Sequence, residues 1–229
     1  MSSSITAREY DQFKQFLEQA CGIVLGEGKE YLITSRLTRL LREEEMDSIA
    51  ELLTAIQRNM PRHLRDSVID AMTTNETSWF RDRNPFECLE KTVFPEMESE
   101  GKRQCRVWSS ACSSGQEPYT ISITASEYVK SVAASGLNNT QIVATDISAS
   151  MLTEAKRAEY DESILGRGLS AERKQQFFKS VGDRWQVADD IKRRVSFREQ
   201  NLLSSYSALG KFDIIFCRNV LIYFSQERK

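Results

Sequence analysis

Small residues and a single acid stand where two apolar stretches of the chain end. The run SSACSSG (109–115) follows CRVWS (105–109), and Asp146 closes QIVATD (141–146). Small side chains let a backbone approach a ligand closely, and an acid ending the second strand binds ribose hydroxyls in nucleotide-binding sheets. These residues favour a nucleotide site, although Gly115 is the only glycine of the loop, so the GxGxxG pattern is absent. The alternative is an ordinary strand-to-helix connection, with Asp146 as a helix-capping or surface acid.

A parallel α/β sheet is the element that would bring these two stretches together. Four apolar runs predict its strands, at 105–109, 141–145, 195–198 and 212–217. After the small-residue loop we expect a helix with Pro118 as its first residue, because proline lacks only an N–H that would be unpaired there. After Asp146 we expect a helix capped by Ser148.

Two segments flank this predicted sheet. TTNETSWFRD (73–82) joins a helical part to the α/β part, so it could lie across the nucleotide site, and we expect Trp79 or Phe80 to pin it to the core. Residues 159–194 are charged with scattered aromatic residues, and they suit a small insertion carrying a helix at 171–178.

The first part of the chain, residues 7–72, has the periodicity of helices throughout. In the helix expected at 29–45 the apolar and basic residues lie on separate arcs. The basic arc holds Lys29, Arg36, Arg39 and Arg42, and no acid interrupts it between Arg36 and Arg42. This pattern is consistent with a docking surface for an acidic partner, although a solvated helix face is the more common outcome for such charges.

Composition excludes several classes of protein. The 229 residues carry a net charge of −2, which is not that of a globally basic nucleic-acid binder. Five cysteines form no CxxC pair and no signal peptide precedes them, so we expect reduced thiols and a cytoplasmic protein. With His63 as the only histidine we expect no metal, and no apolar run suits membrane insertion.

Several stretches together resemble the chemotaxis receptor glutamate methyltransferases (CheR), which use S-adenosylmethionine. TTNETSWFRD, WSSACSSGQEPY, ATDIS, NLL (201–203) and FDIIFCRNVLIYF occur in the family's order, and CGIVL and YLITSRLTRL match as well. The resemblance implies a Rossmann-like class I methyltransferase sheet preceded by a small all-helical domain. We expect a receptor-docking domain at 1–72 and an S-adenosylmethionine-binding domain at 73–229.

The resemblance also implies roles for individual residues. Arg81 and Tyr223 match the family's catalytic positions. The positions that match cofactor contacts are Asn75, Thr77, Arg81, Glu117, Asp146, Asn201, Leu202, Arg218 and Asn219. Arg81 would orient either the cofactor's carboxylate or the incoming glutamate, and these roles stay open. Arg36, Arg39 and Arg42 would dock on the acidic helices of a chemoreceptor's cytoplasmic domain.

The expected chemistry suits these residue types. A glutamate carboxylate is ionised at pH 7, because its pKa is about 4.3, so methyl transfer to it needs no general base. The products would be a glutamyl methyl ester and S-adenosylhomocysteine. Two alternatives remain: a catalytically silent cofactor-sensing or receptor-binding module, and an unrelated nucleotide-binding oxidoreductase, against which the missing glycine fingerprint counts.

The family's sheet has seven strands, whereas this sequence predicts four. We therefore expect the chain to be a truncated version of a longer protein. The strand at 212–217 should then lie near an incompletely covered sheet edge.

Overall fold

The computed structural model describes residues 5–58, 61–132 and 135–229, and its first part is a bundle of four helices. These are α1 (Ala7–Cys21), α2 (Glu30–Glu43), α3 (Ile49–Gln57) and α4 (Arg62–Met72). A capping box between Thr6 and Glu9 starts α1. The apolar faces pack into a core of their own, whose fully buried side chains include Phe13, Leu17, Ile33, Leu37, Leu52 and Val68. The predicted all-helical first part is confirmed.

The connecting segment at 73–82 leads from α4 into the second part of the chain. Two short helices follow it, α5 (Asn84–Cys88) and α6 (Phe94–Ser99), joined by a π-helical turn. Trp79 and Phe80 are both buried in the core, whereas we expected this of one of them. The ring of Phe80 faces the Arg173 guanidinium at 3.9 Å.

The α/β part begins with strand β1 (Gln104–Ser110), helix α7 (Gln116–Ser131), strand β2 (Asn139–Asp146) and helix α8 (Ala149–Arg157). Helix α7 begins two residues before the expected position, so Pro118 is its third residue and not its first. Proline is tolerated there because the first-turn N–H groups have no partner within the helix. Ser148 caps α8 as predicted, its hydroxyl accepting from the Met151 N–H at 3.1 Å.

Residues 159–194 form a small sheet as well as the expected helix. Its elements are β3 (Glu159–Tyr160), α9 (Glu162–Leu165), α10 (Ala171–Phe177), β4 (Phe178–Val181), β5 (Arg184–Val187) and α11 (Asp189–Lys192). The strands pair antiparallel in the order β3-β5-β4. These strands were not predicted, because they are only two to four residues long.

Strands β6 (Val195–Glu199) and β7 (Ile214–Cys217) complete a parallel sheet with the order β6-β2-β1-β7. All four predicted strands are therefore confirmed. Their carboxyl ends meet at one edge, since Ser110 is aligned with Thr145 and Cys217, and Asp146 with Glu199. Strand β7 lies at an outer edge of the sheet, and its Ile215 is 57% exposed.

The described residues contain neither a membrane-spanning helix nor a metal-binding cluster. None of their helices is long and apolar enough to cross a membrane. No group of three or more His, Cys, Asp or Glu side chains in them has a metal-binding arrangement.

Candidate active site

A cleft lies between the helical bundle and the carboxyl edge of the parallel sheet. The small-residue loop, the connecting segment and the chain after β7 form its walls. All ten residues predicted to bind the cofactor or act in catalysis line it: Asn75, Thr77, Arg81, Glu117, Asp146, Asn201, Leu202, Arg218, Asn219 and Tyr223. The structure thus gathers side chains from five separate stretches of sequence around one space.

Asp146 ends β2 at the floor of this cleft and is 5% exposed. Its carboxylate accepts from the Ser113 N–H at 2.7 Å and from the Ser148 N–H at 2.9 Å. Burial raises the pKa of Asp146, while these backbone amides lower it. Helix α8 is capped by Ser148, so Asp146 is free of that role and holds the small-residue loop instead.

The small-residue loop adopts left-handed backbone angles at alternate positions. The φ angles are 53° at Ala111, 50° at Ser113 and 95° at Gly115. A Cβ added at Gly115 would meet Ala155 Cβ at 3.0 Å and the Tyr160 hydroxyl at 3.1 Å. One glycine is therefore required where the loop packs on α8, and the other positions need only small side chains.

Glu117, in the first turn of α7, also lines the cleft. Its carboxylate accepts from the Ser109 hydroxyl at 2.8 Å and from Arg218 Nη1 at 2.9 Å. The side chains of Glu117 and Arg218 are only 14% and 16% exposed. Burial raises the pKa of Glu117, and both partners oppose that shift.

Arg218 also holds the end of the connecting segment. Its Nη2 donates to the Arg81 carbonyl and to the Asp82 carboxylate, each at 2.7 Å. Arg81 itself donates to the Glu76 carbonyl at 2.8 Å, and its half-buried side chain borders the cleft. Two guanidinium groups and three acids, Glu76, Glu117 and Asp146, therefore line a single cleft, which suits a ligand carrying both charges.

Two family models together match nearly the whole chain. "CheR methyltransferase, all-alpha domain" matches residues 8–73, and "CheR methyltransferase, SAM binding domain" matches residues 75–229. The chain belongs to the CheR family.

Curated relatives in the CheR family are similar over almost all of this chain. "Chemotaxis protein methyltransferase 1" of Pseudomonas aeruginosa is 52% identical over 223 residues, covering 96% of this chain and 81% of that protein. The protein of the same name from Vibrio cholerae is 51% identical over 227 residues, covering 99% and 82%. The chain is therefore an S-adenosylmethionine-dependent methyltransferase.

The cleft fits this cofactor. Asp146 lies where the second strand of a nucleotide-binding sheet presents an acid to a ribose. Glu117 can meet an ammonium group, and Arg81 and Arg218 can meet a carboxylate, which are the two charges of the cofactor's methionine part. The individual contacts between these residues and the cofactor stay predictions, and they are based on the positions of the residues around the cleft.

The side chain of Asn201 has two hydrogen-bond partners within the protein. Its side-chain amide donates to the Ala20 carbonyl at 2.7 Å and its side-chain oxygen accepts from the Leu203 N–H at 2.9 Å. Each end of the carboxamide therefore has one partner within the protein and keeps capacity for a second, because the amide has two N–H donors and the oxygen two lone pairs. The adenine contacts of Asn201 and Leu202 stay predictions.

The segment after β7 carries Asn219 and Tyr223 and rests against the helical bundle. The Val24 N–H donates to the Tyr223 carbonyl at 2.9 Å. A Cβ added at Gly22 would lie 2.5 Å from Phe224 Cε1, so glycine is required at this contact. The helical bundle is thus attached to the catalytic part next to the cleft.

The structure separates the three arginines predicted to dock on a receptor. Arg39 is an exposed side chain paired with Glu43 at 3.5 Å, and Arg42 is also exposed. Arg36 is half-buried, and its guanidinium binds the backbone at the end of α4. Arg39 and Arg42 are therefore exposed while Arg36 is half-buried, and docking of this face on a receptor stays a prediction.

Several residues of the cleft were missed by sequence reasoning. Cys21, Ile23 and Met72 line it from the helical bundle, and Ser113 and Ser109 hold its two acids. The Ser residues lie in the loop that the sequence did identify. For Cys21 and Ile23 the signal was the CGIVLGEG stretch, which interrupts the helical periodicity, whereas Met72 had no such signal.

Proposed function

We propose that this protein transfers a methyl group from S-adenosylmethionine to glutamate side chains of chemoreceptors, forming glutamyl methyl esters. The observation that carries the proposal is the cleft, where Asp146 and Glu117 line one space beside the helical bundle. S-adenosylmethionine supplies a methyl group bound to a cationic sulfur. A nucleophile forms a bond to the methyl carbon directly, and the electron pair of the broken carbon–sulfur bond stays on sulfur.

The residues around the cleft favour a carboxylate acceptor. Among the described residues that line it there is no histidine or lysine. Burial raises the pKa of the Cys21 thiol to about 11 and that of Cys112 well above its usual value, so neither offers a thiolate base. An amine or hydroxyl acceptor would have to lose a proton, whereas a glutamate carboxylate is already ionised.

The roles that follow are positional. Asp146 would hold the ribose, and Glu117 would meet the amino group of the cofactor's methionine part. Arg81 would orient a carboxylate at the mouth of the cleft. Tyr223 would place an aromatic face beside the cationic sulfur, an interaction that stabilises a cation by about 0.5–2 kcal/mol. Catalysis would come from alignment and from exclusion of water.

Helix α2 would meet the receptor. Arg39 and Arg42 project from the bundle, and exposed basic side chains attract acidic helices mainly by raising the encounter rate. Replacing both by alanine should lower receptor methylation at low salt and leave affinity for S-adenosylhomocysteine unchanged. Normal methylation by this double variant at low and moderate salt would remove α2 from the docking surface.

The chemical test of the product uses methyl-labelled cofactor and the cytoplasmic fragment of a chemoreceptor. A glutamyl ester releases volatile methanol in mild alkali, so most of the label should leave the protein on base treatment. The Asp146→Asn variant serves as the low-activity control. Label that survives alkali would show a different acceptor, and cofactor binding without any transfer would favour a catalytically silent module.

A further inference from the structure

Arg36 reaches across the helical bundle to the start of the connecting segment. Its Nη1 donates to the Met72 carbonyl at 2.6 Å and to the Thr73 carbonyl at 3.1 Å, and its Nη2 donates to Thr74 Oγ1 at 3.0 Å. Met72 is the last residue of α4. Carbonyls at a helix end lack partners within the helix, and a cation is stabilised there by the helix dipole. Arg36 therefore closes α4 and sets the direction in which the chain leaves it.

The residues that Arg36 holds are themselves part of the cofactor cleft. Thr73, Thr74 and Asn75 all line it. The side-chain amide of Asn75 donates to Thr73 Oγ1 at 3.1 Å, and the backbone carbonyl of Asn75 accepts from the Ser113 hydroxyl at 3.0 Å.

A continuous set of hydrogen bonds thus links α2 to Asp146 in the cleft. The Ser113 hydroxyl meets the connecting segment, and the Ser113 N–H donates to Asp146 at 2.7 Å. The far end of the connecting segment is fixed by Arg218, through the Arg81 carbonyl. One guanidinium therefore holds each end of the segment, and Arg36 holds the end nearer Asp146.

We propose that Arg36 is a positioning residue for the cofactor site. It acts through the backbone of Met72 and Thr73, which it fixes so that Asn75 and Ser113 meet. The three contacts use the planar fork of the guanidinium, which binds several oxygens at once, whereas a lysine ammonium is a single flexible point charge. This inference concerns binding of the cofactor, and it does not depend on the methyl acceptor proposed above.

The test is titration calorimetry of the full chain with S-adenosylhomocysteine. We expect Arg36→Ala to weaken binding about tenfold, which corresponds to about 1.4 kcal/mol. Arg36→Lys keeps the charge but not the fork, so its affinity should remain well below wild type. The exposed Arg8 on α1 provides the matched control, since Arg8→Ala should bind as wild type does. Circular dichroism at the titration temperature verifies that each variant is folded.

Steady-state methylation with a receptor fragment separates positioning from docking. Loss of positioning raises the KM for S-adenosylmethionine in both Arg36 variants, whereas loss of docking raises the KM for the receptor. Wild-type cofactor affinity in Arg36→Ala, or full restoration by Arg36→Lys, would overturn the inference. If Arg36→Ala does not fold, the titration of Arg36→Lys alone tests the inference. Weakened cofactor binding by that variant supports it, and wild-type affinity overturns it. Failure of the wild type to methylate receptors, with Arg36 variants still weak for S-adenosylhomocysteine, would refute only the proposed function.

Discussion

Removing Arg218 should leave a buried carboxylate without its cation. In Arg218→Met, Glu117 keeps only the Ser109 hydroxyl, and its side chain is 14% exposed. Breaking a buried ion pair by deleting one partner costs roughly 3–5 kcal/mol. We take about 3 kcal/mol, the lower end of that range, because the pair borders an open cleft. The pair with Asp82 adds little, because that acid is 63% exposed.

The loss should depend on pH in a defined direction. Burial raises the pKa of Glu117 from its ordinary value of 4.5, and removing Arg218 raises it further. A carboxyl with a raised folded-state pKa contributes stability below its unfolded pKa, and that stability is lost as pH rises through the folded pKa. The difference between variant and wild type should therefore be small near pH 4.5 and fully developed at pH 8.

Thermal unfolding measured from pH 5 to pH 8 tests this reasoning. For a chain of 229 residues, 3 kcal/mol corresponds to a fall in Tm of about 6–12 °C. Adding Glu117→Gln to Arg218→Met should recover part of that loss at pH 8, because the buried charge is gone. The exposed Arg198→Met is the control and should change Tm little. An equal deficit at both pH values, or no recovery in the double variant, would refute the account of the pair.

Three further predictions concern the cleft and its supports. Asp146→Asn should weaken S-adenosylhomocysteine binding at least tenfold in calorimetry, since hydrogen bonds to a charged group contribute about 1.5–3 kcal/mol; unchanged affinity would remove this acid from the site. Gly22→Ala should lower Tm more than Gly28→Ala, because both have positive φ but only the first new Cβ would clash; equal shifts would contradict the contact with the segment after β7. In the native state at pH 8, the exposed thiols of Cys88 and Cys217 should react quickly with a disulfide reagent, whereas the three buried thiols should react only after the protein unfolds. Equal reaction rates for all five thiols would show that the core is open.

Local pattern was enough to predict the parallel sheet and one acid of the cleft. Each strand is an apolar run, and a residue that ends a strand of a parallel sheet must lie at the edge where ligands bind, so Asp146 could be placed before any contact was known. The antiparallel sheet of the insertion was not predicted, because its strands bury few side chains. Gly182 and Asp183 are nevertheless a two-residue hairpin turn, and that signal could have found β4 and β5.

The role of Arg36 could not be predicted from helical periodicity. That periodicity correctly placed it near Arg39 and Arg42 on α2. It carries no information about the end of α4, which is 36 residues away in sequence and lies against this side chain in the fold. Whether a basic side chain on a helix is solvated or holds a neighbouring backbone is decided by tertiary packing. The carboxamide of Asn201, bound to Ala20 across the two parts of the chain, is a second case.

Mass-spectrometric mapping of the methylated residue tests the central claim most directly. The full chain is incubated with S-adenosylmethionine and a chemoreceptor cytoplasmic fragment, and the receptor peptides are sequenced. The proposed function predicts the added methyl group on glutamate side chains, and its loss when those glutamates are replaced by alanine. A methyl group on lysine, cysteine or a hydroxyl residue, or none under conditions where calorimetry shows the cofactor bound, would contradict it.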